Sequence, residues 1–159
     1  YMSKGEESID RMDRLSQQLT DFASLSQLEP EDVHLDEVAK YIKGVFDVPV
    51  IMQGEGTWRV NKKLLLMAIR NLLDNAVTYG EDPVVVIDEH QISVEDHGPG
   101  LPPQVLDRLF TPFNTTKSVG LGLFIAKKAC ELNNLTLDYK PNVPHGAIFT
   151  ISLPIVPRM

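Results

Sequence analysis

Four short stretches carry side chains whose types and spacing suit chemistry. Asn71 and Asn75 stand four residues apart in "NLLDNAVTYG" (residues 71–80), which puts both on one face of a helix. An amide oxygen is a hard ligand of the kind Mg²⁺ accepts, and two asparagines inside an apolar helix cost stability without partners. The pair would serve equally well as core-edge amides bonded to loop backbone. In "VEDHGPGLP" (94–102), Asp96 precedes Gly98 and Gly100. Glycine pairs in loops often approach phosphate, but a carboxylate repels phosphate. The same carboxylate is suited to accept a hydrogen bond from an exocyclic amino group such as adenine N6, with the glycines turning the backbone beneath a flat base; the plain alternative is an exposed turn. In "RLFTPFNTTKS" (108–118), a polar tail follows Leu109, Phe110 and Phe113. Lys117 and the hydroxyls of Thr115 and Thr116 can reach phosphate oxygens from it, although a single loop lysine is ordinarily just solvated. In "SVGLGLFIAKKA" (118–129), Gly120 and Gly122 precede an expected helix. Its first amides and its dipole favour an anion, unless the stretch is a simple loop-to-helix turn. Each stretch is weak alone; together, in this order, they are not.

The elements that must position these residues follow from periodicity. From Glu6 to Leu28 apolar residues recur at threes and fours, with Met12, Leu15, Leu19 and Phe22 in a coiled-coil rhythm, and "EPED" at Glu29–Asp32 breaks the helix. The chain thus divides into 1–30, a helix that asks for a partner, and 31–159. "VHL" is a short strand candidate, Asp36 is placed to cap the helix "EVAKYIKGVF", and "VPVIMQ" reads as a strand ending at "GEG". Asn61 caps a long helix that closes on Gly80. "PVVVID" and "QISVED" read as antiparallel strands joined near Glu89 and His90. A short helix is expected in "PPQVLDRLF" and another from about Gly122 to Leu132, and "LTLDYK" and "AIFTISLP" finish the chain as strands. Hairpin-linked strands mixed with helices predict an α+β fold. Its form is a two-layer sandwich, one mixed sheet covered on one face by helices, preceded by the coiled-coil-like helix.

Bulk properties exclude several classes. A net charge of −7 argues against general nucleic-acid binding. No apolar run approaches the roughly 18 residues of a membrane helix, and the charged start is unlike a secretory signal. The expectation is therefore a cytoplasmic piece of a longer protein, with no membrane contact of its own; the parent protein is free to carry a membrane anchor. Cys130 is the single cysteine, so no internal disulfide forms, and its helical spacing from Ile125 reads as a core position. There is no G-x-x-x-x-G-K-[ST] loop, no G-x-G-x-x-G opening a βαβ unit, no H-E-x-x-H and no G-x-S-x-G. One cysteine and four scattered histidines do not make a common structural zinc site.

With these motifs in this order, the chain resembles the ATP-binding catalytic domain of sensor histidine kinases. That domain belongs to the ATPase superfamily shared with type II topoisomerases, the ninety-kilodalton heat-shock chaperones and mismatch-repair ATPases. "NLLDNAVTYG" resembles the family's asparagine box, "DHGPGLP" its first glycine box, "LFTPF" its phenylalanine box and "VGLGLFIAKKAC" its second glycine box. The match runs from about Asp32 to Pro154, with "HGAIFTISLP" as the closing strand. It implies the Bergerat-type ATP-binding fold and an ATP-dependent protein histidine kinase. By the same resemblance, Asn75 would coordinate Mg²⁺, with Asn71 beside it on the metal and phosphates. Asp96 would bind adenine N6, and Gly98 and Gly100 would shape the base pocket. Gly120 and Gly122 would flank the triphosphate at the mouth of a flexible lid holding Thr115, Thr116 and Lys117. Phe113 of the phenylalanine box and Leu123 of the second glycine box join the nucleotide-binding set, and Asn71, Asn75 and Lys117 form the catalytic one.

The helix over Glu6–Leu28 resembles the second helix of a dimerisation and phospho-acceptor domain. It implies a homodimer, an acceptor histidine in that domain and a response regulator downstream. Three departures stand out. None of "HLDEV", "HQISV", "HGPGL" and "HGAIF" has the acceptor pattern, so the phosphorylated histidine lies outside this chain. Thr78 stands where the family often has a basic residue, leaving Lys117 to compensate. Ser118 replaces the usual first glycine of its box, and the lid is about two residues short. These departures keep two other readings open: a nucleotide-sensing or degenerate signalling module, and a serine kinase of the anti-sigma type.

Overall fold

A computed structural model of the chain describes residues 29–101 and 119–154, with backbone alone at 119–121. The expected helices in Glu6–Leu28 and "PPQVLDRLF", and the residues Phe113, Thr115, Thr116 and Lys117, fall outside these. The elements run β1 (Glu31–His34), α1 (Leu35–Phe46), β2 (Val50–Met52), β3 (Thr57–Val60), α2 (Lys62–Tyr79), β4 (Val84–Ile87), β5 (Gln91–Asp96), α3 (Val119–Leu132), β6 (Thr136–Pro141) and β7 (Ala147–Ser152).

Five strands form one sheet in the order β2-β4-β5-β7-β6. β2 runs parallel to β4 and every other pairing is antiparallel, so the sheet is mixed. Strand alternation fixes which side chains meet. Ile87, Ile92, Ile151 and Leu137 form one row across the strands, and Val85, Val94, Phe149 and Tyr139 the next. Tyr139 and Phe149 stack tilted at 5.2 Å. Both rows face the helices and are buried apart from the half-buried Tyr139, whereas the alternate residues Val84, Val86, Glu95, Ile148 and Thr150 are only half-buried. By the same period Asp96 follows Ile92 and Val94 on the helix side. A carboxylate therefore ends an otherwise apolar series.

α2 and α3 pack against each other over this face. Leu64, Leu65, Ile69, Leu72 and Leu73 of α2 are at most 1% exposed, each contributing roughly 1.5–3 kcal/mol by burial. Asn61 caps α2 as the sequence suggests, its side chain accepting from the Leu64 N–H. The same residue also binds at a distance. Its main-chain N–H donates to Asn133 Oδ1 at 2.8 Å and its carbonyl accepts from Asn133 Nδ2 at 2.9 Å. The start of α2 is thereby tied to the residue just beyond α3. Cys130 is buried in the core, as its spacing suggests.

Three local expectations are corrected. α1 begins at Leu35, so Asp36 lies in its first turn and the N-cap is His34, without a side-chain cap bond. Fully buried Leu35 anchors that turn, and Asp36 and Glu37 act on the helix dipole instead of on a free N–H. β3, absent from the sequence reading, pairs antiparallel with β1 as a separate ribbon; buried Trp58 pins it by donating to Glu89 O at 2.8 Å. α3 starts at Val119, so Gly120 and Gly122 lie inside its first turn and do not precede it. Glycine disfavours helix by about 1 kcal/mol, but the packing of α3 on α2 overrides that preference.

Candidate functional site

The C-terminal ends of α2 and β5 meet at a cleft. Asn75, Tyr79, Gly80, Asp96, Gly100, Leu101 and Ala147 line it, and the space between them, open solvent included, is about 240 Å³. Asn75 and Tyr79 share one face of α2 at a four-residue spacing.

Asp96 is 7% exposed. Its Oδ1 accepts from the Gly98 N–H at 2.9 Å, and its Oδ2 has no hydrogen-bond partner among the described residues. A carboxylate with one oxygen fixed by its own loop presents the other to whatever enters the cleft. Its charge is felt nearby: burial, and secondarily Asp96, push the Tyr139 hydroxyl above its ordinary range.

Gly80 sits against this carboxylate. Its φ of −98° is open to any residue, so the helix does not need glycine there as a left-handed stop. Space is the reason, since a Cβ would stand 2.5 Å from Asp96 Cγ. Gly98 is equally constrained, because its Cβ would meet Gly80 Cα at 2.8 Å. The two glycines let the end of α2 and the loop after β5 touch backbone to backbone, and the His97 N–H donates to Glu81 O at 2.7 Å across the junction.

Asn75 Oδ1 is buried and has no hydrogen-bond partner among the described residues. A buried amide oxygen left unpaired costs about 1–3 kcal/mol, so it marks a place where a ligand atom completes the site. An amide oxygen is a hard donor, so a hard cation fits it. Asn71 lies one turn back and is buried. Its Nδ2 donates to Met67 O at 2.8 Å, and its Oδ1 would stand 3.6 Å from a Cβ on Gly122. The first turn of α3 is thus laid against the asparagine face of α2.

The structure therefore gathers Asn75, Asp96 and Gly100 in one cleft, with Gly98 packed against Gly80 beside it and Asn71 and Gly122 close to each other. Gly120 lies in the first turn of α3. Leu123 is 1% exposed in the hydrophobic core and does not line the cleft. The sequence reading missed Tyr79, Leu101 and Ala147 as lining residues. Tyr79 was accessible to it, standing four residues after Asn75.

Also missed was the β6–β7 turn that backs the loop. Asn142 Nδ2 donates to Asp96 O at 2.9 Å and lies 3.3 Å from His97 Nδ1, while His145 Nδ1 donates to Gly98 O at 2.9 Å. Gly146 has φ +120°, and any Cβ there would overlap Asp96 O. Among the described residues no cluster of three His, Cys, Asp or Glu side chains could hold a metal, and no helix is long and apolar enough to cross a membrane.

Comparison with known proteins agrees with this geometry. A family model described as histidine kinase-, DNA gyrase B- and HSP90-like ATPase matches residues 60–157. Sensor protein QseC of Escherichia coli O157:H7 is 30% identical over 153 residues, covering 82% of this chain and 34% of that protein. Sensor protein BceS of Bacillus subtilis is 33% identical over 106 residues, covering 58% of this chain and 32% of that protein. The chain spans about a third of the length of these relatives. Among solved structures, the cytoplasmic segment of histidine kinase QseC superposes with a TM-score of 0.65 at 21% identity, covering 92% of this chain and 94% of that one. That likeness establishes the shared α+β ATPase fold.

Proposed function

Since this chain belongs to the histidine kinase-, DNA gyrase B- and HSP90-like ATPase family, we propose that it binds ATP in the Asp96 cleft. From there it delivers the γ-phosphoryl group to a histidine outside the chain. The observation that carries this reading is the pairing, in one cleft, of a half-engaged carboxylate at Asp96 with an unpartnered buried amide oxygen at Asn75. The first suits the amino edge of a base and the second suits the charged end of a nucleotide.

The base enters between Tyr79, Leu101 and Ala147, and Asp96 Oδ2 accepts its exocyclic N–H. Gly80 keeps a side chain out of the space where that carboxylate stands, and Gly98 lets the loop after β5 approach the end of α2. Gly100 shapes the far edge of the pocket. Asn75 Oδ1 would hold Mg²⁺, which when bound neutralises charge on the phosphate oxygens. Asn71 keeps the first turn of α3, with Gly120 and Gly122, beside the phosphate end, where amides at a helix N-terminus favour anions. Thr115, Thr116 and Lys117 are assigned to the lid on sequence grounds, Lys117 as a cation for the phosphate oxygens, and Phe113 of the phenylalanine box joins the nucleotide-binding set. Transfer then breaks the bond from the γ-phosphorus to the bridging oxygen, leaves ADP, and forms a phosphorus–nitrogen bond on the imidazole. Positioning and charge neutralisation supply the acceleration.

The acceptor belongs to the phospho-acceptor domain of the parent protein, and a response regulator receives the group afterwards. The domain works on the cytoplasmic side as a homodimer joined through the segment Glu6–Leu28, whose apolar spacing is that of a helix. The test is incubation of the chain with ATP labelled at the γ-phosphate, Mg²⁺ and a separately purified acceptor domain. Label appearing on the acceptor and released by acid is the expected result. Acid-stable label would point to a serine kinase, and ATP binding without transfer to a sensing module.

A further inference from the structure

We infer that Asn142 is a positioning residue for base recognition. It acts through the main chain of Asp96 and touches no nucleotide itself. This inference rests on the Asp96 cleft being a base pocket. Every polar atom of the Asn142 amide is engaged in holding this turn against the loop after β5. Nδ2 has two hydrogens, one directed at Asp96 O at 2.9 Å and the other at His97 Nδ1 at 3.3 Å. Oδ1 accepts from the Val143 N–H at 2.8 Å, and the Asn142 main-chain N–H donates to Gly146 O at 3.1 Å. Reversing the amide would set oxygen against the Asp96 carbonyl, so the network fixes its orientation.

The bracket acts on the peptide that leads out of β5. Asp96 is the last residue of that strand, paired with Ala147. Beyond it the chain turns at once, and its side-chain Oδ1 reaches forward to the Gly98 N–H. The torsion of the carboxylate is therefore tied to the backbone of Asp96 and His97. Asn142 holds the Asp96 carbonyl and His145 holds the Gly98 carbonyl, one on each side of His97. With both carbonyls anchored to the β6–β7 turn, Oδ2 keeps one direction. Gly146, where a Cβ would overlap Asp96 O, allows the turn to come this close.

A residue that aims a hydrogen-bond acceptor alters binding only for ligands that use the acceptor. The full chain is titrated with ATP and with purine riboside 5′-triphosphate, which lacks the exocyclic amine, in the parent, Asn142→Asp and Asp96→Ala forms. Asn142→Asp keeps the acceptor for Val143 and the shape of the side chain but removes both donors. The expected result is an ATP affinity about tenfold weaker in Asn142→Asp, the scale of one hydrogen bond, with the amine-free analogue changed by less than about twofold. Equal losses for both nucleotides, or none for either, would overturn the role. If Asp96→Ala loses the preference for ATP while Asn142→Asp keeps it, only the positioning role falls. If Asp96→Ala still prefers ATP, the base pocket itself is misassigned and the role falls with it. Asn142→Ser, which removes the amide without adding charge, runs in the same cycle in case Asn142→Asp does not fold. Failure of both to fold would overturn the inference, since the amide would then hold the domain and not the loop.

Discussion

Asp96 occupies the space a side chain at Gly80 would need: a Cβ there would stand 2.5 Å from the carboxyl carbon and 2.8 Å from Ala76 O. The end of α2 and the end of β5 are thus fitted to one another at the point where the cleft begins.

Gly80→Ala must therefore move the carboxylate or the helix end. Overpacking of this kind costs about 1–3 kcal/mol, and the displaced group is the one proposed to read the base. We expect ATP affinity to fall at least about tenfold while the chain still folds with a lowered Tm. Calorimetric titration beside a thermal melt checks both halves.

Asp96→Asn replaces an acceptor by an amide that can present a donor to the base instead. The loss acts at the base end, which ATP and ADP share. Both should weaken by the same factor, on the order of tenfold or more for a hydrogen bond to a charged group. A loss confined to ATP would place Asp96 at the phosphates.

Asn75 carries a buried oxygen with no hydrogen-bond partner among the described residues, an arrangement that costs stability. Asn75→Ala is expected to melt at or above the parent Tm. It should also lose the Mg²⁺ dependence of ATP binding: adding a chelator weakens ATP binding to the parent but leaves the variant unchanged. A variant that keeps the parent's Mg²⁺ dependence would remove Asn75 from the metal.

Burial pushes the Cys130 thiol up from 9.0 to about 12, with smaller opposing contributions from Lys127, which lowers it, and Glu131, which raises it. The folded chain then holds the thiol proton more tightly than the unfolded chain. Its contribution to stability is complete below about pH 9 and is lost as pH rises toward about 12, at up to about 1.4 kcal/mol per pH unit. Cys130→Ala should flatten the alkaline limb of a stability-against-pH curve measured by urea denaturation. An unchanged limb would assign the alkaline loss to other groups.

Much of the fold was legible because its signals are local. Asn61 before an apolar helix, the run QISVED and the hairpin at Glu89 and His90 each declare themselves within a few residues. β3 did not, because TWRV is four residues long and its partner β1 lies some twenty-six positions earlier. Gly80 was legible as a boundary but not for its reason, which is contact with Asp96 at the end of β5. The start of α3 was read late because glycine at 120 and 122 argues against helix locally, and only packing against Asn71 supports it. Asn142 carries no motif of its own and becomes meaningful only where distant segments meet, whereas Tyr79, four residues after Asn75, was within reach of helical spacing. The lid residues Thr115, Thr116 and Lys117 remain assigned from sequence alone.

β5 has partners on both sides, β4 and β7. Amides in such a strand exchange with solvent only when the whole sheet opens. The carboxylate assigned to the base is therefore mounted at the end of an interior strand, whose amides are expected to be among the slowest to exchange. Nucleotide added to a partly destabilised variant should raise protection across the entire domain at once, not merely around the cleft.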